Sequence, residues 1–135
     1  MSVSTEDLIN YRINRAFETL KEAEKMVENQ FWNASINRIY YACFYSVSAL
    51  LLKKDIDTST HRGIRQMFGL HFVQTGIVTR ELAKFFSDLY DRRQTGDYDD
   101  FIFYDKETSF SLLLLAEEFV NEIDRLLKSE TQHPS

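Results

Sequence analysis

Glycine and proline are scarce in this chain, with four of the first and one of the second in 135 residues. So few breakers argue against a fold of many short strands and turns, and favour long helices joined by short connections. A single cysteine, Cys43, excludes a disulfide framework within one chain. It suits a reducing, cytoplasmic compartment, and its place inside an apolar run makes it a small core residue rather than a nucleophile. No Cys/His cluster stands at zinc spacing, and no Glu-x-x-His pair, Gly-rich phosphate loop or Gly-x-Ser-x-Gly elbow is found. Neither a metal nor a cofactor is therefore expected. The first residues lack the basic and apolar regions of a signal peptide. A net charge of −5 provides no bulk attraction for nucleic acid.

What the chain has in quantity is apolar surface: 44% hydrophobic residues against 27% charged, the balance of one folded domain. The stretch from Trp32 to Lys54 organises the rest. Ile36, Tyr40, Cys43, Val47 and Leu50 form one stripe at helical spacing, and Ile39, Ala42, Tyr45 or Phe44, and Ala49 fill the neighbouring faces. A helix apolar nearly all round has to be covered by other helices. Asn37, Arg38 and two serines break the run well short of bilayer length, so it is not a membrane span.

Four further helices are expected around it. The first is capped by Ser4 or Thr5, runs to Asn29, and buries Ile9, Ile13, Ala16, Leu20, Ala23 and Val27. A third, from about His61 to Phe72 or Val73, is capped by Ser59 or Thr60 and buries Ile64, Phe68 (or Met67), His71 and Phe72. Thr79 caps a fourth, with Leu82, Phe85, Phe86, Leu89 and Tyr90 on its apolar face, which ends near Thr95-Gly96 at a loop reaching Tyr104. The fifth is capped by Asp105 or Thr108 and carries Phe110, Leu113, Leu114, Val120, Ile123 and Leu127. The expected architecture is all-α, an up-and-down bundle of about five helices in one domain over residues 1–128, with a flexible polar tail over 129–135.

Charge is segregated along the chain. Thr58 to Arg80 contains no Asp or Glu but holds His61, Arg62, Arg65, His71 and Arg80, while Asp97 to Glu107 is rich in acids. Such asymmetry marks either a small anion-binding surface or two segments that pair with each other. Arg93 falls in line with Leu82, Phe86 and Leu89, so it must reach a carboxylate (Asp88, Asp97 or Asp99) or a ligand phosphate. Arg92 lies on the adjacent edge. The tyrosines Tyr40, Tyr41 and Tyr45 are more readily core than a stacking platform, and His61 is more accessible than His71.

Three stretches, SINRIYYACFYSVSALL, THRGIRQMFGLHFVQTGIV and ELAKFFSDLYDRRQTGDYDD, together resemble the HEPN superfamily, in particular its small stand-alone proteins of bacteria and archaea. The likeness runs from about Thr5 to Lys128. It implies a helical bundle similar to the C-terminal domain of kanamycin nucleotidyltransferase, a homodimer, and a nucleotidyltransferase partner in a toxin–antitoxin pair. Ribonuclease-active members carry an arginine followed, after four to six residues, by a histidine. In that metal-independent chemistry the 2′-hydroxyl attacks the adjacent phosphate. Here Arg92 and Arg93 are present, but the histidine is not: the count reaches Asp97, Tyr98, Asp99 or Asp100. A formal match, Arg65 to His71, lies outside the family position. The resemblance therefore implies a non-catalytic member that binds a nucleotide or RNA phosphate through Arg92, Arg93, Asp97, Tyr98, His61 and Arg62. The alternatives are a ribonuclease toxin and a purely structural interaction module.

Overall fold

Ser4 opens the first helix by accepting the Asp7 N–H at 3.1 Å, with Glu6 and Asp7 at the positive end of the dipole. The computed structural model describes residues 4–98 and 103–132. Its helices are α1 Thr5–Glu28, α2 Trp32–Leu52, α3 His61–Phe68, α4 Arg80–Tyr98 and α5 Lys106–Gln132, with a π-helical turn, Gly69–Val73, extending α3. No strand occurs among the described residues, and no helix there is long and apolar enough to cross a membrane.

The central position of α2 is as its composition requires. Every residue from Ser46 to Leu52 is buried, and α1, α3, α4 and α5 all pack against the helix. The two serines that interrupt its apolar surface are accommodated locally. Ser46 Oγ donates to the Cys43 carbonyl at 2.7 Å, and Ser48 Oγ accepts from Arg12 at 2.6 Å. All six stripe residues expected on α1 are buried, as are Ile36, Tyr40, Cys43, Val47 and Leu50 on α2.

Several details depart from the sequence expectation. Helix α4 runs through Gly96 to Tyr98 rather than ending near Thr95, because one glycine inside a long helix costs only about 1 kcal/mol. Helix α5 passes Lys128 and ends at Gln132. Phe110 and Leu114 are exposed, and the buried stripe of α5 is instead Leu112, Leu113, Ala116, Phe119, Val120, Ile123, Leu126 and Leu127. The run from Phe110 to Ala116 is apolar almost all round, so periodicity alone could not pick its inner face. His71 is only half-buried, since the wide π turn carries it off the Ile64–Phe68–Phe72 stripe.

Gly63 has a specific task. A Cβ there would meet Thr58 Oγ1 and lie 2.8 Å from Thr60 Oγ1, the hydroxyl that caps α3 by accepting the Gly63 N–H at 2.9 Å. Gly63→Ala is expected to cost about 1 kcal/mol by displacing this cap. Gly69→Ala, whose Cβ meets nothing within 4 Å, should instead stabilise by about 0.5–1 kcal/mol. Urea midpoints of the two variants check the contrast.

Candidate functional site

The Thr60 cap fixes where α3 starts, and so makes His61 its first residue, held over the aromatic side of α2. The imidazole lies 4.8 Å from the Phe44 ring, 5.6 Å from Tyr40, 5.9 Å from Tyr41 and 5.8 Å from Tyr90 of α4, centroid to centroid. Its Nδ1 is 2.7 Å from the Tyr40 hydroxyl, a hydrogen bond whose donor depends on the tautomer. Nε2 is the ring nitrogen left outside this bond.

Two arginines converge on the same aromatic floor. Arg65, one turn after His61, places its guanidinium carbon 4.1 Å from the Tyr90 ring centroid. Tyr90 is itself oriented by Gln94, whose Nε2 donates to its hydroxyl at 2.8 Å. Arg93, one turn after Tyr90 on α4, donates from Nη2 to the Tyr41 hydroxyl at 3.1 Å. Its guanidinium carbon lies 5.3 Å from the Tyr41 ring centroid and 5.8 Å from that of Tyr40. Both side chains are half-buried, and cations in such settings draw on the electron-rich ring faces. Among the described residues Arg65 forms no ion pair, and its Nε is buried without a hydrogen-bond partner.

These cations and the surrounding burial set the protonation states. His61 is pushed below its ordinary pKa, first by burial and then by the charges of Arg93 and Arg65. It is therefore a neutral imidazole at pH 7, able to take up a proton. Tyr40, fully buried, is pushed well above the ordinary phenol range by burial, with Arg93 and Arg65 opposing. It stays a neutral hydrogen-bonding partner for the histidine.

Of the residues singled out from sequence, the fold brings His61, Arg65 and Arg93 to one face. Arg62 is exposed. Arg92 is exposed too, and its carbonyl accepts the Tyr104 hydroxyl at 2.9 Å. Asp97 and Tyr98 belong to the last turn of α4, and their side chains lie outside the described residues, as do Asp99 and Asp100 altogether. The formal pair Arg65 and His71 is split. The chain between them leaves α3 at Phe68 and enters the π turn, which puts the two residues in different surroundings. The His71 carbonyl is taken by Thr75 Oγ1 at 2.8 Å, while Arg65 sits with His61 and Tyr90.

Sequence reasoning missed the tyrosines as the floor of the site and Arg65 as the companion of Arg93. The spacings were available: His61 and Arg65 are four apart, Tyr90 and Arg93 three apart, each pair on one helical face. Among the described residues no group of three or more His, Cys, Asp or Glu side chains could hold a metal ion.

The fold and this face define an all-α bundle bearing one histidine and two arginines over a cluster of aromatic rings. The family model for the HEPN domain matches residues 9–126, and the chain belongs to the HEPN family. It is 39% identical over 123 residues to a UPF0332 protein of Thermotoga maritima, covering 91% of this chain and 93% of that one. It is also similar to two proteins of Methanocaldococcus jannaschii. One, named "Putative toxin MJ0142", is 36% identical over 87% of this chain and 80% of its own. The other, named "Putative toxin MJ0605", is 35% identical over 86% of each.

Proposed function

We propose that this HEPN protein is toxin-like and binds a phosphate group, of a nucleotide or of RNA, at the face formed by Arg65, His61 and Arg93. The observation that carries this reading is the convergence of two half-buried guanidinium groups, Arg65 and Arg93, beside the His61 imidazole on one aromatic floor. A phosphate oxygen is the acceptor a guanidinium fork accommodates best. The similarity to proteins named as toxins supports the broader role. Pairing with a nucleotidyltransferase, and with a second copy, belongs to the same proposal. The exposed Phe110, Leu114 and Leu115 on α5 support an association surface.

The test is binding of a short labelled RNA, followed by fluorescence anisotropy. Arg65→Ala and Arg93→Ala should each weaken it by about tenfold or more, the worth of a charged hydrogen bond. Wild-type affinity in both variants, with unchanged unfolding midpoints, would end the proposal. The dependence on pH follows from His61. Its pKa is lowered in the unliganded fold, and a bound anion would raise it. Affinity should therefore increase as pH falls from about 7.5 to about 5.5, while the phosphodiester keeps its single charge. His61→Gln should remove this slope. The same lowered pKa makes the unliganded fold less stable as pH falls through the ordinary histidine range, because the unfolded chain takes up the proton first.

One observation favours a second reading. The histidine missing from the α4 spacing is supplied from α3, since His61 lies beside Arg93 on the Tyr41 ring. A neutral imidazole next to a guanidinium has the parts for metal-independent ribonuclease chemistry: His61 takes the 2′-hydroxyl proton as the 2′-oxygen attacks, Arg93 stabilises the phosphorane, and the P–O5′ bond breaks to leave a 2′,3′-cyclic phosphate, the 5′-oxygen taking a proton from the imidazolium or water. Cleavage of RNA in EDTA, lost in His61→Ala, would establish it. The absence of cleavage leaves the binding role.

A further inference from the structure

On the other side of Phe44 lies a groove of about 350 Å³ between α1, α2 and the loop that follows α2. Its floor is Phe44 and Tyr45, and Tyr11 stands at its rim with 63% of its surface exposed. Two half-buried arginines project from α1. Arg12 is anchored by donating from Nη1 to the buried Ser48 hydroxyl at 2.6 Å. Arg15 lies 5.2 Å from the Tyr45 ring centroid. Their counter-ions, Asp57 at 3.3 Å and Glu18 at 3.5 Å, have side chains 63% and 64% exposed. Such rim pairs hold little net energy and yield to a better-placed anion.

The groove and the Arg65–His61–Arg93 face are continuous. Phe44 lines the groove, yet its ring lies 6.1 Å from Tyr45 and 4.8 Å from His61. Arginine and aromatic groups therefore follow one another without a gap: Arg15 on Tyr45, then Phe44, His61, Tyr90 and Arg65. A run of aromatic rings flanked at both ends by cations is a composition that suits a single strand, the arginines meeting phosphates and the rings meeting bases. A mononucleotide has one base and one cluster of phosphate, and cannot fill both halves.

We propose that the groove of Tyr11, Arg12 and Arg15 is a second anion-binding subsite, and that with the Arg65–His61–Arg93 face it holds a single-stranded polynucleotide. The subsite stands on its own geometry, while the joint track rests on the phosphate-binding reading above. Tyr11 is exposed and Arg15 half-buried, and neither belongs to the buried core, so their variants should fold.

The experiment compares AMP with oligoadenylate RNAs of increasing length on the whole protein, in the wild type, Tyr11→Ala, Arg15→Ala and Arg65→Ala. Affinity is expected to climb with length in the wild type. Tyr11→Ala and Arg15→Ala should each weaken the longer RNAs by about tenfold and leave AMP unchanged. Wild-type affinity in both, with loss in Arg65→Ala, overturns the subsite and leaves the phosphate site standing. Loss in Arg15→Ala with none in Arg65→Ala keeps the subsite and overturns the phosphate site and the joint track. No loss in any variant, or no dependence on length, overturns the track. Equal competition by polyglutamate would assign the groove to acidic polypeptide and end the proposal.

Discussion

Phe86→Ala should remove about 3–5 kcal/mol of stability, the usual cost of truncating a fully enclosed phenylalanine. The ring is 1% exposed and sits at the centre of an aromatic cluster that ties four helices and the candidate site together. It is stacked on Tyr40 at 5.8 Å and on Phe119 at 5.6 Å, and meets Phe68 edge-on at 5.8 Å. Each such pair adds about 0.5–1.5 kcal/mol beyond the area it buries, although the contributions do not simply sum. Domains of this size are stable by only about 5–15 kcal/mol, so about a fifth or more of the total is at stake. Urea denaturation should show a lower midpoint at unchanged slope. A midpoint within about 1 kcal/mol of wild type would mean that the stack is not the keystone its geometry suggests. Because Tyr40 also meets His61, the variant should lose ligand affinity along with stability.

Cys43 should resist thiol reagents by at least about three orders of magnitude relative to the unfolded chain. Its side chain is fully enclosed in α2, and burial pushes its thiol far above the ordinary range. Both the missing path and the missing thiolate oppose attack, so labelling has to proceed through opening of the bundle. Where opening and closing are fast, the labelling rate follows the unfolded population. Phe86→Ala, at about 3–5 kcal/mol, should then accelerate it by about 10² to 4 × 10³-fold. Labelling at wild-type rates in that variant, or rapid labelling of the native wild type, would place the reaction in a local opening of α2.

The contrast between helices and site in their legibility has a physical cause. The seam of α1, the centrality of α2, and the caps at Ser4, Thr60, Thr79 and Asp105 each depend on residues within a few positions of one another. Local patterns carry such information. Gly96 misled because propensity is a small term that the rest of a long helix overrides. Phe110 and Leu114 misled because their segment offers more apolar faces than the bundle can cover. For the site, Arg93 on the core edge was readable, while His61, expected to be more accessible than His71, is half-buried as His71 is. The meeting of Arg93 and His61 was not readable, since the spacing rule counts along one helix while the histidine arrives from another. Tyr41, which touches both, had looked like ordinary core.

The π-helical turn after α3 has a bearing on how this chain can change its length. A π turn is held by bonds five residues apart, here Gln74 N–H to the Gly69 carbonyl at 2.9 Å, and so carries an extra residue relative to an α-helix. The surplus lies beside exposed Leu70, while Phe68 and Phe72 remain buried. Deleting one position there would restore ordinary α pitch without disturbing the Thr60 cap that sets His61. A deletion in the loop before α3 would instead pull on Asp57, tied to Arg12, and on Thr60 itself. A one-residue deletion is thus expected to be absorbed in the π turn downstream of the histidine and resisted in the loop upstream of it, a polarity built into the spacing between two helices.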